Sequence, residues 1–456
     1  MRHVAVIDIG KTNAKLLRID LDTGEEQEIA RQPNRVRTDG PYPHYDIPAL
    51  WAFVLAGLRA LAGGKSVDAL SITTHGAAAV LVDAAGDLAL PALDYEHGGP
   101  DETAIAYDAC RPPFAETGAP RLPGGLNLGA QLFWQSRRFP EDFARSRSVL
   151  MYPQYWAFRL TGVAASEVTS LGCHTDLWQP FAGGLSSMVD SLGWRGLFPP
   201  VRGATEVLGT LLPEIARQTG LSATLPVLCG IHDSNASLVP WLNRPGPRAI
   251  LSTGTWMIVM ALQGRRVDLD PARDVLVNVN ALGAPVPTAR FMAGREFEML
   301  LPDGPVATTP ADEDAVLQSR LMALPSLHPA TGPFPGQVFA WHPAEPADPA
   351  MRTVAASFYV ALMGAECLSL IGAEGDIVVE GPLGRNPAFA RMLASATGRP
   401  VLLAGDGAGT GLGAAMLAGN TGGPRRAPRR VEPEPDPRWM AYAAEWRKTV
   451  AARVMP

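Results

Sequence analysis

The sequence predicts an α/β fold built twice, and three observations carry that prediction. A strand, tight turn and strand open the chain within residues 3–31. The same pattern starts again near residue 248. Around both, apolar strand-like runs alternate with helical periodicity, the signature of mixed sheets flanked by helices. A chain of 456 residues also exceeds the size at which single cores tend to split. Two domains are therefore expected, 1–242 and 243–456, with the break in "PWLNRPGPR" around 240–247, where prolines and glycine interrupt regular structure.

The elements follow in order. "HVAVIDIG", "AKLLRIDL" and "EEQEIARQ" are three short strands joined by "KTN" and "DTG", a meander. A helix spans about 48–62: Leu50, Phe53, Val54, Leu58 and Leu61 recur at helical spacing, and Pro48 suits a first turn. "VDALSITTHG" and "AAVLVDAAG" add two strands. In the second half, "RAILSTGTWMIVMAL" repeats the opening hairpin. A long helix at about 350–370 follows, then the strand "DIVVEG", the helix "PAFARMLASATG", the strand "PVLLA" and a glycine-rich helix start. The Pro- and Gly-rich stretch from "VDLDPARD" to "PAEPADP" reads as an irregular insertion rather than a third domain.

Composition narrows the function. The chain is 47% hydrophobic and 18% charged, with net charge -6, a soluble globular balance rather than a disordered one. The short basic run at 422–430 reads as a solvated linker, not a nucleic-acid patch. Cys110, Cys173, Cys229 and Cys367 form no CxxC pair, so reduced thiols are expected. "RHVAVIDIG" has no signal-peptide layout, and no apolar run is expected to approach the ~18 residues of a membrane span.

Several segments carry chemistry. In "DIGKTNAK", Asp8 ends a strand and Gly10, Lys11, Thr12 and Asn13 form a turn whose N–H groups can nest an anion. The bland alternative is a plain hairpin turn. Asp8 can hold Mg²⁺ through water. "LSTGTW" offers a matching turn at Ser252, Thr253, Gly254 and Thr255. A nucleoside triphosphate pinched between two such turns accounts for both. "LAGGKS" fails as a P-loop because Arg59 stands where Gly is required, and it lies at a helix end. "GAGTGLGAA" has Gly409, Gly411 and Ala414 near dinucleotide spacing, but no acidic residue follows on a second strand. There is no HExxH or GxSxG motif, which leaves a zinc site or serine hydrolase unsupported. His75 in "TTHG" ends a strand at a loop, where substrate groups gather. Asp233, in the apolar run "CGIHDSNASLVPWL", is either a helix cap or a general base in a cleft.

These segments together resemble the FGGY family of carbohydrate kinases. "VIDIGKTNAK" is similar to the family's first phosphate segment, and "ITTHGAAAVLVDAAGDLALPALDYEH" to its sugar-contacting segment. "YWAFRLTG", the catalytic-type "GIHDSNAS", the second phosphate segment "LSTGTW" and the adenosine-type "VVEGPLGRNPAFARMLASATGRPVLLAGDGAGTGLGAAMLAG" follow in family order. The chain departs from the family pattern in three places. Gly381-Pro382-Leu383-Gly384 replaces a Gly-Gly-Gly loop. Tyr95, Glu96 and His97 stand where Trp-Asn-Asp or Tyr-Arg-Asp is usual. Gln131 occupies a Lys position.

The resemblance implies two actin-like, ribonuclease H-like domains with a cleft between them, sugar and catalytic base on the first and nucleotide on the second. It implies phosphoryl transfer from ATP to a hydroxyl of a ketose or deoxyketose of the L-rhamnulose or L-fuculose type. A xylulose-type pentulose kinase is the alternative, and a non-catalytic sugar or nucleotide sensor or an actin-like ATPase are the rivals. Asp233 is implied as base. His75, Gly76, Tyr95, Glu96, His97 and His232 are implied on the sugar. Gly10, Lys11, Thr12, Asn13, Thr253, Gly254, Thr255, Gly381, Gly384 and Asn386 are implied on ATP, and Asp8 on Mg²⁺. The implied setting is cytoplasmic, without nucleic-acid or membrane partners, and it admits a homodimer.

Overall fold

In a computed structural model, which describes residues 1–405, 409–419 and 428–453, the chain forms two compact units. One comprises Met1–Arg244, Val277–Pro285 and Ala408–Arg425; the other comprises Pro245–Leu276, Val286–Gly407 and Arg426–Pro456. Two segments that a single cut after residue 242 assigns to the second half thus group with the first.

The first unit is organised by one mixed sheet, ordered Val207–Thr210, Pro226–Leu228, Ala69–Thr74, His3–Ile9, Asn13–Asp20, Glu25–Pro33. His3–Ile9 runs antiparallel to Asn13–Asp20 and parallel to Ala69–Thr74. Period-2 alternation along the first strand fills two cores. Ala5, Ile7 and Ile9 face Leu50, Val54 and Leu58 of the helix Ile47–Ala62; Val4 and Val6 face Ala236, Ala414 and Ala415. A sheet covered on both faces accounts for the near-continuous apolar strands. The helix Ile47–Ala62 begins where Asp46 accepts the N–H of Ala49 at 3.1 Å, and Pro48 sits where no intrahelical donor is needed.

The second unit repeats this plan. Its sheet runs Val275–Val279, Pro285–Phe291, Met257–Leu262, Arg248–Thr253, Asp376–Glu380, Val401–Gly405, Arg429–Val431. The two sheets share a central arrangement: the opening strand, His3–Ile9 or Arg248–Thr253, is antiparallel to the strand that follows it and parallel to a later one, Ala69–Thr74 or Asp376–Glu380. The helix Pro349–Leu370 precedes that later strand, as Ile47–Ala62 does in the first unit.

Three readings from sequence need correction. The irregular insertion is structured. It holds the strands Val275–Val279 and Pro285–Phe291 and the helices Ala293–Leu300 and Pro310–Ser319. Its prolines misled because Pro285 and Pro287 precede the residues paired with Met257–Leu262, a ladder that starts at Thr288; proline is tolerated where it blocks no ladder bond. The basic run at 422–430 is described only in its last three residues, where Arg429–Val431 forms an edge strand and Arg430 pairs with Glu432 and Asp376. Finally, Pro349–Leu370 is long and apolar enough to cross a membrane, but 83% of its most apolar window is buried. It is the core helix of the second unit, with Val354, Phe358, Ala361 and Ala365 fully packed.

Candidate active site

Asp233 opens the short helix Asp233–Ala236, and His232 is the N-cap residue. Its Oδ1 accepts the Ser234 N–H at 2.6 Å and lies 3.2 Å from His232 Nε2. Asp233 is thus the first residue of the helix rather than its cap, which has no side-chain capping bond. Its side chain is 30% exposed, so the group that looked stranded in an apolar run reaches solvent.

The strand Ala69–Thr74 delivers His75 to the same region, since Ile231–His232 pairs in parallel with Thr73–Thr74. His75 Nδ1 lies 2.8 Å from the carbonyl oxygen of Gly76, which fixes the proton on Nδ1 and leaves Nε2 an acceptor. Nε2 is buried and finds no hydrogen-bond partner among the described residues. The ring is held by Tyr45, Tyr95 and Tyr152, with centroids 5.0, 5.6 and 5.1 Å away. Burial pushes His75 well below the usual imidazole range against the opposing pull of Asp233, so the ring is neutral at physiological pH. A neutral imidazole with an empty buried acceptor suits a ligand hydroxyl. Gly76 is required by close approach: a Cβ there would stand 2.7 Å from His232 Nε2.

Lys11 leaves the first turn and joins this group. Its Nζ bonds Asp94 Oδ1, lies 3.2 Å from Glu96 Oε2, and sits 4.6 Å from the Tyr95 ring centroid and 5.4 Å from that of Tyr45. The side chain expected on phosphate is thus placed among the residues expected on sugar. The turn itself is closed by Gly10 N–H to the Asn13 carbonyl at 2.9 Å. Asn34 clamps it, taking Thr12's carbonyl with its N–H and Gly10's with its amide, both at 2.9 Å. His97 departs from the expected group: it packs at 5.5 Å from Trp134 and 6.4 Å from Tyr42. Gln131, in the Lys position of the resemblance, donates to the carbonyls of Ala77 and Gly125 and so braces the loop behind His75. Asp94, Tyr45, Tyr152 and Cys173 escaped the sequence reading. Asp94 stood one residue before a segment already singled out, but nothing local tied it to Lys11.

Asp8 ends its strand with a half-buried carboxyl. Burial raises its pKa to about 6, Asp233 adds repulsion, and Lys15, 4.0 Å away, opposes both. Two mutually repelling carboxylates with little counter-charge fit a hard divalent cation held by one or two carboxylates plus phosphate oxygens. Among the described residues no three His, Cys, Asp or Glu side chains converge as a self-sufficient metal cage.

The second unit carries the remaining residues. Thr253 Oγ1 donates to the Glu380 carbonyl at 2.6 Å and accepts the Leu383 N–H at 3.3 Å, which fastens the second turn to the 381–384 loop. Gly381 has φ +87°, and a Cβ there would come within 2.1 Å of the Thr253 carbonyl oxygen; only glycine fits. Gly254 and Thr255 are exposed, and Thr255's carbonyl receives the N–H of Gly294. Gly384 lies in the 3₁₀ turn Pro382–Arg385. Asn386 caps the helix Pro387–Thr397, accepting the Phe389 N–H at 3.1 Å and donating to Ser357 at 2.9 Å. Its amide is engaged within the protein at both ends, so its part in a nucleotide site falls to the backbone.

Comparison with known proteins gives the family. Residues 3–240 match the N-terminal domain of the FGGY family of carbohydrate kinases, and residues 245–427 match the FGGY carbohydrate kinase C-terminal domain. The crystal structure of a carbohydrate kinase from Novosphingobium aromaticivorans is 39% identical. It covers 100% of this chain and 99% of its own, with a TM-score of 0.91. Xylulose kinase of Escherichia coli is 27% identical over 274 residues, 56% of this chain and 53% of that protein. Rhamnulokinase of Halalkalibacterium halodurans is 25% identical over 272 residues, 57% and 56%. The chain thus spans about half the length of these curated relatives. With both domain families matched in order along nearly the whole sequence, the chain belongs to the FGGY family of carbohydrate kinases.

Proposed function

We propose that the protein transfers the γ-phosphoryl group of ATP to a hydroxyl of a neutral ketose or deoxyketose of the L-rhamnulose or L-fuculose type. The observation that carries this reading is the unpartnered Nε2 of His75, a buried acceptor set among three tyrosine rings beside Asp233. Such an atom is costly unless a ligand donor meets it, and a sugar hydroxyl supplies one. Aromatic walls with a few convergent polar groups suit a compact polyol. Asp94, Glu96 and Asp233 outnumber Lys11, which is already paired. That balance favours a neutral sugar over an acidic one.

In this reading Asp233 takes the proton of the attacking hydroxyl, a contribution of roughly 10²–10⁴-fold. Gly76 and Tyr95 shape the sugar pocket with His75. Glu96 borders it, His97 packs instead on Trp134 and Tyr42, and His232 orders Asp233. The turns Gly10–Asn13 and Thr253–Thr255, with Gly381, Gly384 and the backbone at Asn386, serve ATP. Asp8 is assigned to Mg²⁺, which when bound neutralises phosphate charge. Lys11 is assigned to both sides: its backbone to the turn, its ammonium to the Asp94–Glu96 edge. The pentulose alternative draws on the xylulose kinase similarity.

A coupled assay of ADP release over neutral ketoses, polyols, aldoses and aldonates tests the reading. A neutral ketose should raise the rate well above the sugar-free background. No stimulation by any sugar would overturn it, and a sugar-independent rate would point to an ATPase.

A further inference from the structure

Lys11 belongs to the first phosphate-type turn by its main chain, yet its ammonium is bonded to Asp94 and lies 3.2 Å from Glu96 Oε2. The two partners differ. Asp94 is buried and held in place. Its N–H donates to the Pro43 carbonyl at 3.0 Å, and its carbonyl accepts the His97 N–H at 2.9 Å. Its Oδ1 also accepts the Tyr45 hydroxyl and the Glu96 N–H, each at 3.3 Å. The Glu96 side chain is 64% exposed, so solvent screens its attraction for the ammonium. Asp94 therefore fixes both the position of the Lys11 ammonium and most of its charge balance.

That position is on the wall around His75. Lys11 Nζ sits over the rings of Tyr95 and Tyr45, 4.6 and 5.4 Å from their centroids. The same two rings flank His75, at 5.6 and 5.0 Å. An ammonium carries three donors. Among the described residues, Asp94 and Glu96 are its only ion-pair or hydrogen-bond partners, and its side chain keeps 20% of its surface exposed. On the same rings His75 holds the buried acceptor Nε2, which no group among the described residues satisfies. A spare donor and an unmet acceptor thus share one aromatic wall. They complement two hydroxyls of one molecule, one accepting from Lys11 and one donating to His75.

We propose that Lys11 is a specificity-determining residue: its ammonium donates to a second sugar hydroxyl beside the one that meets His75, and Asp94 cancels its charge so that neutral polyols are admitted and acidic sugars are not. The inference rests on the reading of this wall as a sugar site. It moves the Lys11 side chain from the nucleotide to the acceptor. The cancelled charge matters because an uncompensated ammonium holds a carboxylate more strongly than a hydroxyl.

Calorimetric binding and ADP release by the full chain test this. The probes are neutral ketoses, their deoxy analogues lacking one hydroxyl each, and aldonates. For the sugar that the wild type turns over, one deoxy analogue should bind and react about 10- to 100-fold more weakly than the parent, the loss of a charge-assisted hydrogen bond. In Lys11→Met that difference should shrink to within about twofold, because the parent then loses what the analogue lacks. Asp94→Asn keeps the Oδ1 acceptor for Lys11, Tyr45 and Glu96 but removes the charge. It should raise the aldonate-to-ketose ratio of kcat/KM by about tenfold. A pair that only braces the loop would weaken parent and analogue alike. Discrimination unchanged in a folded Lys11→Met would therefore overturn the inference and leave the kinase reading standing. If Lys11→Met does not fold, an unchanged aldonate ratio in Asp94→Asn overturns it. Lys11-dependent discrimination in binding without ADP release would uphold the contact and remove the kinase reading. No binding of any sugar would overturn both.

Discussion

At the scale of a residue, Asp8 is a carboxylate that burdens the fold. Its carboxyl is raised from an ordinary 3.8 to about 6, chiefly by burial. A raised folded-state pKa means that folding favours the protonated form. That advantage is complete below pH 3.8 and gone above about pH 6, where the fold must carry an ionised, poorly compensated group. In metal-free protein, Asp8→Asn should therefore raise the melting temperature at pH 8, by a stabilisation of order 2 kcal/mol. The difference should vanish below pH 4. Equal melting temperatures at pH 8 would show that Asp8 is adequately solvated or paired. Motifs in the sequence singled out Asp8, His75 and Asp233, and the electrostatics of Asp8 and His75 both include Asp233. The place of Lys11 was not legible: its turn spacing suggested phosphate, whereas its ammonium reaches a carboxylate 83 residues away, a pairing that only the fold creates. The same holds for Cys173 and His232, 59 residues apart.

At the scale of elements, the helix that carries Asp233 depends on another from far along the chain. The helices Asp233–Ala236 and Thr410–Met416 pack together, and a Cβ on Gly413 would fall 1.8 Å from the Ala236 carbonyl oxygen. Such contact demands glycine at 413, a packing reason for that residue of the "GTGLG" run. Gly413→Val should cost about 1–3 kcal/mol through overpacking, measured by thermal or urea unfolding, and lower kcat by displacing Asp233. A variant of wild-type stability and activity would contradict this packing. Strong periodic elements were readable from sequence, as at 48–62 and 350–370. The strand Pro285–Phe291 was not, because its prolines precede the paired residues rather than interrupt them.

For the whole molecule, the restart near residue 248 proved a sound guide: both sheets centre on an opening strand antiparallel to the next strand and parallel to a later one. The interleaving of the chain was not visible, because local patterns do not say which core a segment enters. Ala414, Ala415, Met416 and Leu417 fill the core formed by Val4, Val6, Leu17 and Ile19. A fragment of residues 1–244 should therefore lack a cooperative unfolding transition and aggregate through the uncovered sheet face. A fragment that unfolds cooperatively as a monomer would show that this helix is dispensable.

The most direct test of the central claim is sugar-stimulated ADP release by the wild type and by Asp233→Asn, with ATP binding measured on both. The account predicts that the variant loses at least about 100-fold in kcat while ATP affinity and the unfolding transition stay within error. Undiminished turnover in Asp233→Asn would contradict it.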